Sequence, residues 1–395
     1  MTHNSPVNKA IFLLILSGYM LYSSAYAQPN PDTEAPIQFT MQQIASESYE
    51  SAGVFDVNGD GNLDIISGSY WYEGPGFLRR HKTRDIERHG EYWDEFATIP
   101  MDVNGNGRID FITGGWFSKQ IIWLENPGNN GEWPEHIIDE TGNVEAIGAW
   151  DIDNDGHLEI VPNNPNDPLK FYKLDRDSDG VAQGTFTKVA VADGQGHGIG
   201  FGDISGNGRG DFIVSNGWLE SPRDMEKGTW TIHNDFDFGS ASIPILVTDV
   251  NGNGINDLIV GQAHGFGLDW YEQTRNSSED RTWIKHPMDL DNSQFHTMKL
   301  VDLDGDGENE LITGKRYRAH NDGDPGADDP IGLYFFKWNG ESFDKHTIAY
   351  GPLGEGKGTG IQFSVADLRG TGRMDIIVAG KDGLYVLYND GTLNN

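Results

Sequence analysis

The chain has 395 residues and a formal charge of −33, because 61 Asp and Glu outnumber 28 Lys and Arg. A surface this acidic repels nucleic acids and anionic membranes, so neither is expected as a partner. The 11 Trp, 14 Tyr and 19 Phe are too many for a disordered acidic chain, and the absence of cysteine excludes disulfides and thiolate chemistry. The acidic residues are therefore expected to have local roles, and cation binding is the first candidate.

The N-terminus has the pattern of a secretory signal peptide. Lys9 supplies positive charge, an apolar run extends from Ala10 to Met20, and Ala25-Tyr26-Ala27 is a small-x-small cleavage site. The apolar run is too short to span a bilayer, and no membrane insertion is expected. We therefore expect residues 1–27 to be removed on export to the periplasm or the medium, and residues 28–36 to form a linker.

Beyond this segment one motif recurs seven times: Asp-apolar-Asp/Asn-Gly-Asp/Asn-Gly-x-x-Asp/Glu. Successive copies start roughly 45–65 residues apart, close to the period of β-propeller blades. The copies begin at Asp56, Asp102, Asp151, Asp203, Asp249, Asp302 and Asp367.

Each copy is flanked by short strand-like segments. In the first copy Ser51–Phe55 precedes the motif, and two further apolar segments, Asp64–Ser67 and Trp71–Glu73, follow it. A fourth segment follows a Trp-x-x-His phrase in later copies, as at Trp133 and His136, where the histidine is expected to pack within the blade. Four strands per copy predict an all-β fold, a seven-bladed β-propeller.

The ends of the chain indicate how the ring closes. The last copy is followed by only two strand-like segments, and residues 38–45 form a strand-like segment with no motif before it. We expect this N-terminal segment to be the outer strand of the seventh blade, which removes an open edge. The propeller is thus predicted over residues 37–389, with residues 390–395 as a tail.

The motif itself resembles a calcium loop. Carboxylate and amide oxygens at alternate positions of a Gly-bent loop converge on one centre, as calcium requires. The alternative is a set of Asx-type turns that hold no ion. The fourth loop, with Ser205, is doubtful, and the seventh, with Arg369 and Thr371, is expected to hold no metal. The predicted ligands are Asp56, Asn58, Asp60, Asp64, Asp102, Asn104, Asn106, Asp110, Asp151, Asp153, Asp155, Glu159, Asp249, Asn251, Asn253, Asp257, Asp302, Asp304, Asp306 and Glu310.

Residues that interrupt the repeat point to the functional face. Six positions before each motif, near the start of the innermost strand, four blades carry an ionisable residue, and these should converge on the propeller axis: Glu50, Glu145, His197 and His296. Such histidines are also often satisfied core residues.

Connections between second and third strands should reach the same face. The sixth carries Lys315, Arg316, Tyr317, Arg318 and His320, a basic cluster unusual in so acidic a chain. It is either a solvated charge run or a clamp for a carboxylate or sulfate. Other connections add His264 and two flat aromatic surfaces for a sugar ring, Trp71 and Trp116, although such aromatics are more often core residues.

Two resemblances follow from these motifs. The seven loops resemble the FG-GAP/VCBS repeats of integrin-type propellers over residues 37–389. The segments Gly194–Asp203, Gln294–Thr297 and Gly314–Asn321 resemble the propeller of aldos-2-ulose dehydratases and of dehydratases acting on ulvan oligosaccharides. This second resemblance implies elimination of water from a sugar.

We therefore expect a carbohydrate hydro-lyase that acts on acidic, uronate-containing oligosaccharides. His197 and His296 would be base and acid, with His264, Tyr317, Glu145 and His320 in reserve, and a divalent metal among His197, His264, His296 and Glu145 remains open. The substrate-binding set would be Lys315, Arg316, Arg318, His320, Glu50, Trp71 and Trp116. Two alternatives stay open: a glycosidase or polysaccharide lyase that uses Glu50 and Glu145, and a non-catalytic, calcium-stabilised carbohydrate-binding propeller.

Overall fold

The computed structural model describes Met1, residues 36–278 and residues 280–392. Apart from Met1, the predicted signal peptide and residues 28–35 of the predicted linker lie outside the described residues. All strands belong to the compact unit that begins at Pro36. Within the described residues no helix has the length and apolar character needed to cross a membrane.

In the described part of the chain, thirty strands form seven four-stranded antiparallel sheets and one hairpin, which confirms the predicted all-β, seven-bladed propeller. In chain order they are β1 (Ile37–Ala45); β2 (Gly53–Phe55), β3 (Asp64–Ser67), β4 (Tyr70–Tyr72) and β5 (Arg80–Lys82) of blade 1; β6 (Arg88–His89) and β7 (Tyr92–Trp93) of the hairpin; β8 (Ile99–Met101), β9 (Asp110–Gly114), β10 (Gln120–Leu124) and β11 (Glu135–Glu140) of blade 2; β12 (Ala146–Trp150), β13 (Glu159–Asn163), β14 (Leu169–Arg176) and β15 (Ala182–Ala192) of blade 3; β16 (Ile199–Gly202), β17 (Asp211–Val214), β18 (Gly217–Glu220) and β19 (Thr231–His233) of blade 4; β20 (Leu246–Thr248), β21 (Asp257–Gly261), β22 (Phe266–Arg275) and β23 (Arg281–Ser293) of blade 5; β24 (Phe295–Val301), β25 (Glu310–Lys315), β26 (Ile331–Trp338) and β27 (Phe343–Gly351) of blade 6; and β28 (Phe363–Ala366), β29 (Asp375–Val378) and β30 (Leu384–Thr392) of blade 7. A 3₁₀ turn covers Ala319–Asp322.

Blade 7 is built from both ends of the propeller. Its sheet has the order β1-β30-β29-β28, so the N-terminal strand lies outermost and pairs antiparallel with β30. At the inner edge, the backbone N–H groups of Ile361 and Gln362 donate to the Glu50 carbonyl, which joins blade 7 to blade 1. β1 begins at Ile37, and β30 continues to Thr392, three residues beyond the predicted boundary.

The last acidic residue of each motif ties its loop to the blade. Asp64 is fully buried, and its two carboxylate oxygens accept N–H bonds from Val57, at 2.8 Å, and from Gly74, at 2.7 Å. Asp110 and Asp257 make the same pair of bonds in blades 2 and 5. Since Gly74 follows the third strand, one carboxylate fixes both the loop and the neighbouring strand end.

Histidines of the fourth strands pack within the blades, as the Trp-x-x-His phrase predicts. Each stacks on an aromatic ring of the third strand at 4.1–4.5 Å, and most also face a glutamate two residues beyond that ring. The stacked pairs are Trp71–His81, Trp123–His136, Trp218–His233, Trp270–His286 and Phe335–His346. Trp71 is only 2 % exposed in this stack, so it is a core residue and the expectation that it offers a surface to a sugar is not met.

The fold sorts the chain into two faces. Motif loops join first to second strands and lie on one face, here called the loop face. The starts of the inner strands and the second-to-third connections lie on the other, here called the site face. Between the faces, the inner strands line a largely apolar channel cavity of about 470 Å³.

Candidate functional site

Four ionisable side chains from different blades converge on the site face. Glu145 directly precedes the inner strand β12, and His197 lies two residues before the inner strand β16. His296 lies on the inner strand β24, and His264 lies in the connection after β21. One oxygen or nitrogen atom of each lies within 4.8 Å of the others. The structure thus brings together three of the four residues predicted to converge on the axis and adds His264.

The orientation of His197 is fixed by the neighbouring blade. Its Nδ1 lies 2.9 Å from the carbonyl oxygen of Ala241, and because that oxygen can only accept, Nδ1 carries the hydrogen. Gly198 makes this approach feasible, since its φ is +115° and an added Cβ would lie 2.6 Å from Cβ of Ala241. In the neutral ring, Nε2 of His197 is therefore a bare lone pair.

His264 is held in the same way by a carboxylate. Its Nδ1 lies 2.9 Å from Asp324, which also accepts a bond from His320 at 2.8 Å. Burial would raise the pKa of Asp324, but the two histidines outweigh it and the pKa lies below its usual range. The carboxylate is thus ionised and accepts, so Nε2 of the neutral His264 also has a bare lone pair.

The two bare Nε2 atoms of His197 and His264 lie only 3.0 Å apart. Lone pairs at this distance repel each other, so the arrangement calls for a cation beside them, either a proton or a metal ion. Burial and the neighbouring His197 lower the pKa of His264 to about 4, which disfavours the proton near neutral pH.

Glu145 and His296 complete the group in a fully buried environment. Nε2 of His296 lies 3.0 Å from Oε1 of Glu145, while Nδ1 of His296 has no hydrogen-bond partner within the described part of the chain. Burial and the charge of Arg316 hold the pKa of His296 well below its usual range. Burial would raise the pKa of Glu145, but the bond to His296 and the charge of Arg316 hold it well below its ordinary value. Neutral imidazoles and an ionised carboxylate are the protonation states of metal ligands.

Arg316 is a buried bridge and is not free to bind a substrate carboxylate. Its Nε donates to Glu50 at 3.0 Å and its Nη1 to Glu145 at 2.8 Å, and its side chain is only 2 % exposed. Burial alone would lower the pKa of Arg316, but the two carboxylates raise it above its ordinary value. Glu50 also faces Lys381 at 3.5 Å.

The other members of the basic cluster are also paired. The Lys315 ammonium donates to the carbonyls of Gly326, at 2.5 Å, Ala327, at 3.0 Å, and Asp329, at 2.7 Å, and so braces the segment after β25. Arg318 pairs with Glu91 and Asp322. The expected three-cation clamp is therefore a set of structural ion pairs, because these cations bind groups of their own chain first. Tyr317 lies half-buried beside Arg318.

A pocket of about 230 Å³ opens beside this group. Its walls are mainly aromatic on the side of the hairpin and blade 2, while His320 and Asn321 contribute from the segment after β25. Of the two predicted aromatic surfaces, Trp116 lines this pocket and Trp71 does not. The lining residues are Tyr92, Phe96, Trp116, Phe117, Glu145, Arg316, His320 and Asn321.

Sequence reasoning missed several residues of the site, and three of them bear on its charge and orientation. Asp324 orients His264, Tyr92 lines the pocket, and the ammonium of Lys381 lies 3.6 Å from the centre of the Tyr92 ring. Burial lowers the pKa of Lys381 to about 8, against the opposing effect of Glu50. Of the three, only Asp324 had a signal in the sequence, because it lies in the longest interval between motifs, from Asp302 to Asp367.

The motif loops show one geometry in all seven blades. The first Asp accepts backbone N–H bonds from its own loop, both in blade 1, where Asp56 is followed by predicted ligands, and in blade 7, where Asp367 is followed by Arg369. Arg369 pairs with Asp375 at 3.1 Å. The Asx-type turn is thus sufficient to hold the loop shape.

Blades 3 and 6 differ, because their motifs end in Glu instead of Asp. One oxygen of Glu159 and one of Glu310 is buried without a partner in the described structure. Burial raises the pKa of each glutamate to about 7. A lysine of the third strand reaches into each loop: Lys173 pairs with Asp153 and Asp155, and Lys337 pairs with Asp304 and Asp306.

Comparison with known proteins agrees with the repeat analysis. Residues 102–161, which span the loop of blade 2 to the second strand of blade 3, match the family model described as FG-GAP-like repeat. The chain is a seven-bladed β-propeller with an FG-GAP-like repeat. No curated protein matches the sequence of this propeller.

Solved structures resemble the propeller at low identity. BBS1N in complex with ARL6DN, in a lead-soaked crystal, is 11% identical with a TM-score of 0.52, and covers 90% of this chain and 98% of that chain. The same complex in a mercury-soaked crystal is 10% identical with a TM-score of 0.50, and the match covers 88% of this chain and 94% of that chain. An Agrocybe aegerita lectin that recognises non-reducing terminal N-acetylglucosamine is 17% identical with a TM-score of 0.44, over 76% of this chain and 80% of that chain. At these identities the first two show the fold alone.

The two arginines of the basic cluster should differ sharply in their effect on stability. Arg316→Met removes the guanidinium that bridges two buried carboxylates, Glu50 and Glu145, and should lower the free energy of unfolding by about 3–5 kcal/mol. Arg318→Met removes a half-exposed pair and should cost less than about 1 kcal/mol. Denaturant titration followed by tryptophan fluorescence measures both; equal losses would contradict the structural role of Arg316.

Proposed function

We propose that this propeller is a metal-dependent carbohydrate hydro-lyase that removes water from an acidic sugar. The observation that carries the proposal is the pair of bare Nε2 atoms of His197 and His264, 3.0 Å apart, with Glu145 and His296 beside them. Both Nδ1 atoms are committed to oxygen acceptors, which is how metal-ligating histidines are oriented.

The residues present fit a divalent transition metal. Three imidazoles and one carboxylate suit zinc, manganese, iron, nickel or copper better than calcium or magnesium, which prefer oxygen ligands. A bound metal would act as a Lewis acid on a carboxylate or carbonyl oxygen of the sugar, which acidifies the neighbouring C–H. The ligands would be Glu145, His197, His264 and His296.

This arrangement revises the expected roles of the histidines. His197 is fixed by its bond to Ala241, and His296 is fully buried. Both are therefore better suited to hold a metal than to carry protons to and from a sugar. His320 is different, because its side chain is 55 % exposed, lines the pocket and is oriented by Asp324. We assign the proton abstraction to His320.

The pocket supports a sugar as substrate. Aromatic walls formed by Tyr92, Trp116 and Phe117 offer flat apolar faces, and about 230 Å³ gives room for one sugar residue beside Glu145. With Arg316 paired internally, a metal ion would supply positive charge for the carboxylate of an acidic sugar in this pocket. The segments that resemble dehydratase propellers supply His197, His296, Arg316 and His320, which meet at this site.

A hydrolase is less well supported by the same geometry. Glu50 and Glu145 both bind Arg316, through Nε and Nη1 respectively, and are 5 % exposed each. A glycosidase needs two carboxylates that flank a scissile bond, and this pair is instead held together by one guanidinium.

Metal content tests the centre directly. We expect purified protein to hold about one transition-metal ion per chain, and His264→Ala to lose most of it, because one ligand and the bond to Asp324 disappear. His136→Ala is the matched control, since that histidine stacks on Trp123 in blade 2. Mass spectrometry of acid-digested protein after dialysis measures the content; full occupancy in His264→Ala would refute the centre.

Product mass tests the reaction. Metal-loaded protein incubated with unsaturated, uronate-terminated oligosaccharides from ulvan should give a product lighter by one water and of unchanged chain length. His264→Ala should give none and His136→Ala the full amount. A shortened chain in the mass spectrum would indicate a lyase or glycosidase, and binding without any mass change a carbohydrate-binding propeller.

We also propose calcium at the loops of blades 3 and 6. Oxygens of Asp151, Asp153 and Glu159 lie within 4.8 Å of one another, as do those of Asp302, Asp304 and Asp306. Oε1 of Glu159 and Oε1 of Glu310 are buried and accept no hydrogen bond within the described residues, although the Lys337 ammonium lies 3.8 Å from the Glu310 oxygen. In blades 1, 2 and 5 both oxygens of the last motif carboxylate accept backbone N–H groups, so those loops are weaker candidates.

Chelation should therefore lower the Tm, and added calcium should restore it. An ion that binds only the folded state stabilises it by about 2.7 kcal/mol when the free ion concentration is a hundred times the Kd. The double variant Glu159→Gln, Glu310→Gln should lose this calcium response, whereas Asp60→Asn in blade 1 should keep it. Scanning calorimetry with and without EDTA measures the shift. A Tm independent of chelator would show that the turns need no ion.

A further inference from the structure

We propose that the exposed ring pair His89–Phe117, with Lys119 next to it, forms a second sugar subsite, so that the protein binds acidic oligosaccharides in preference to monosaccharides. This inference rests on the proposed function for the chemical class of the ligand, but the subsite can be tested by binding alone.

The ring pair lies at the mouth of the pocket. Phe117 lines the pocket and is also 38% exposed, so its surface continues from the pocket to the outside. His89 of β6 stacks on it with ring centroids 4.1 Å apart and planes 17° apart. A sugar chain that places one residue in the pocket would therefore pass its next residue over this pair.

The platform is held rigid from both sides. Phe117 and Ser118 donate their backbone N–H groups to Asp94, at 2.9 Å and 2.8 Å, and Asp94 follows directly after β7. The connection of blade 2 is thus tied to the hairpin that carries His89. A preorganised aromatic surface loses little conformational entropy when a ligand binds, which favours a recognition role over a chance exposure.

The stacked rings here differ from those inside the blades. The Trp–His pairs of the fourth strands bury their tryptophans, with Trp71, Trp123 and Trp218 all less than 5 % exposed. His89 and Phe117 instead lie on the site face beside the pocket. Their position outside the repeat means that they add nothing to the blade packing that recurs around the ring.

Lys119 supplies the charge selection. It is exposed, lies on the same connection two residues after Phe117, and makes no ion pair with any described residue. Most other cations near the site are paired, as Arg316, Arg318 and Lys315 show. An exposed, unpaired ammonium next to an aromatic platform suits the carboxylate of a uronate.

Binding of three probes tests the subsite: glucuronic acid, a glucuronate-containing disaccharide and a neutral disaccharide of the same linkage. Titration calorimetry on metal-loaded protein should show that the acidic disaccharide binds about tenfold more tightly than glucuronic acid, from stacking of the second ring. Phe117→Ala should abolish this gain, and His89→Ala, which lies outside the pocket lining, should reduce it and leave the affinity for glucuronic acid unchanged. Lys119→Met should weaken the acidic disaccharide but not the neutral one.

Tyr350→Ala is the matched control, because this ring is 53% exposed on the outer strand β27, away from the pocket lining. Phe117→Leu, which keeps an apolar side chain, guards against a folding defect and should lose the same gain. An acidic disaccharide that binds Phe117→Ala as tightly as wild type would overturn the subsite.

The outcomes separate the subsite from the proposed reaction. If the disaccharide gain depends on Phe117 and no water is lost from any probe, the subsite stands and the hydro-lyase proposal fails. If water is lost and Phe117→Ala has unchanged KM and kcat for the acidic disaccharide, the reaction stands and the subsite fails. If no probe binds wild-type protein, both are overturned.

Discussion

The buried guanidinium of Arg316 connects most of what is distinctive in this propeller. It lies on the site face, pairs with Glu50 of the segment before blade 1 and Glu145 of the segment before blade 3, and itself follows the second strand of blade 6. Three blades that are not neighbours in the ring are thereby joined across the axis. The pair with Glu145 also keeps that carboxylate ionised, which is the state in which it can serve as a ligand beside His197 and His296.

A consequence is that the charges that hold these blades together also belong to the candidate site. The guanidinium cannot be released to a substrate without stranding two buried carboxylates, so recognition must come from elsewhere on the site face. The structure offers two other means, a group of imidazoles with bare Nε2 atoms and a rim of aromatic rings. This division explains why the basic cluster looks like an anion clamp in the sequence and is largely internal in the fold.

How far the sequence predicts this protein depends on the repeat. Strand positions, blade number and the convergence of Glu145, His197 and His296 follow from it, because equivalent positions in successive blades must face the same axis. Pairing within irregular connections does not follow. Nothing in the local sequence indicates that Lys315 would turn back onto three carbonyls, that Asp324 would orient His264, or that a hairpin would carry Tyr92 to the pocket, since these contacts join segments far apart in the chain.

The pairing of β1 with β30 has a consequence for how the molecule is made. A ribosome delivers residues 37–45 first and residues 384–392 last, so the outer strand of blade 7 waits for almost the whole chain before its partner exists. Until then the nascent protein carries an open strand edge and an incomplete ring. Ring closure therefore waits until β30 has been made, and the strand made first in this topology is one of the last to find its partner.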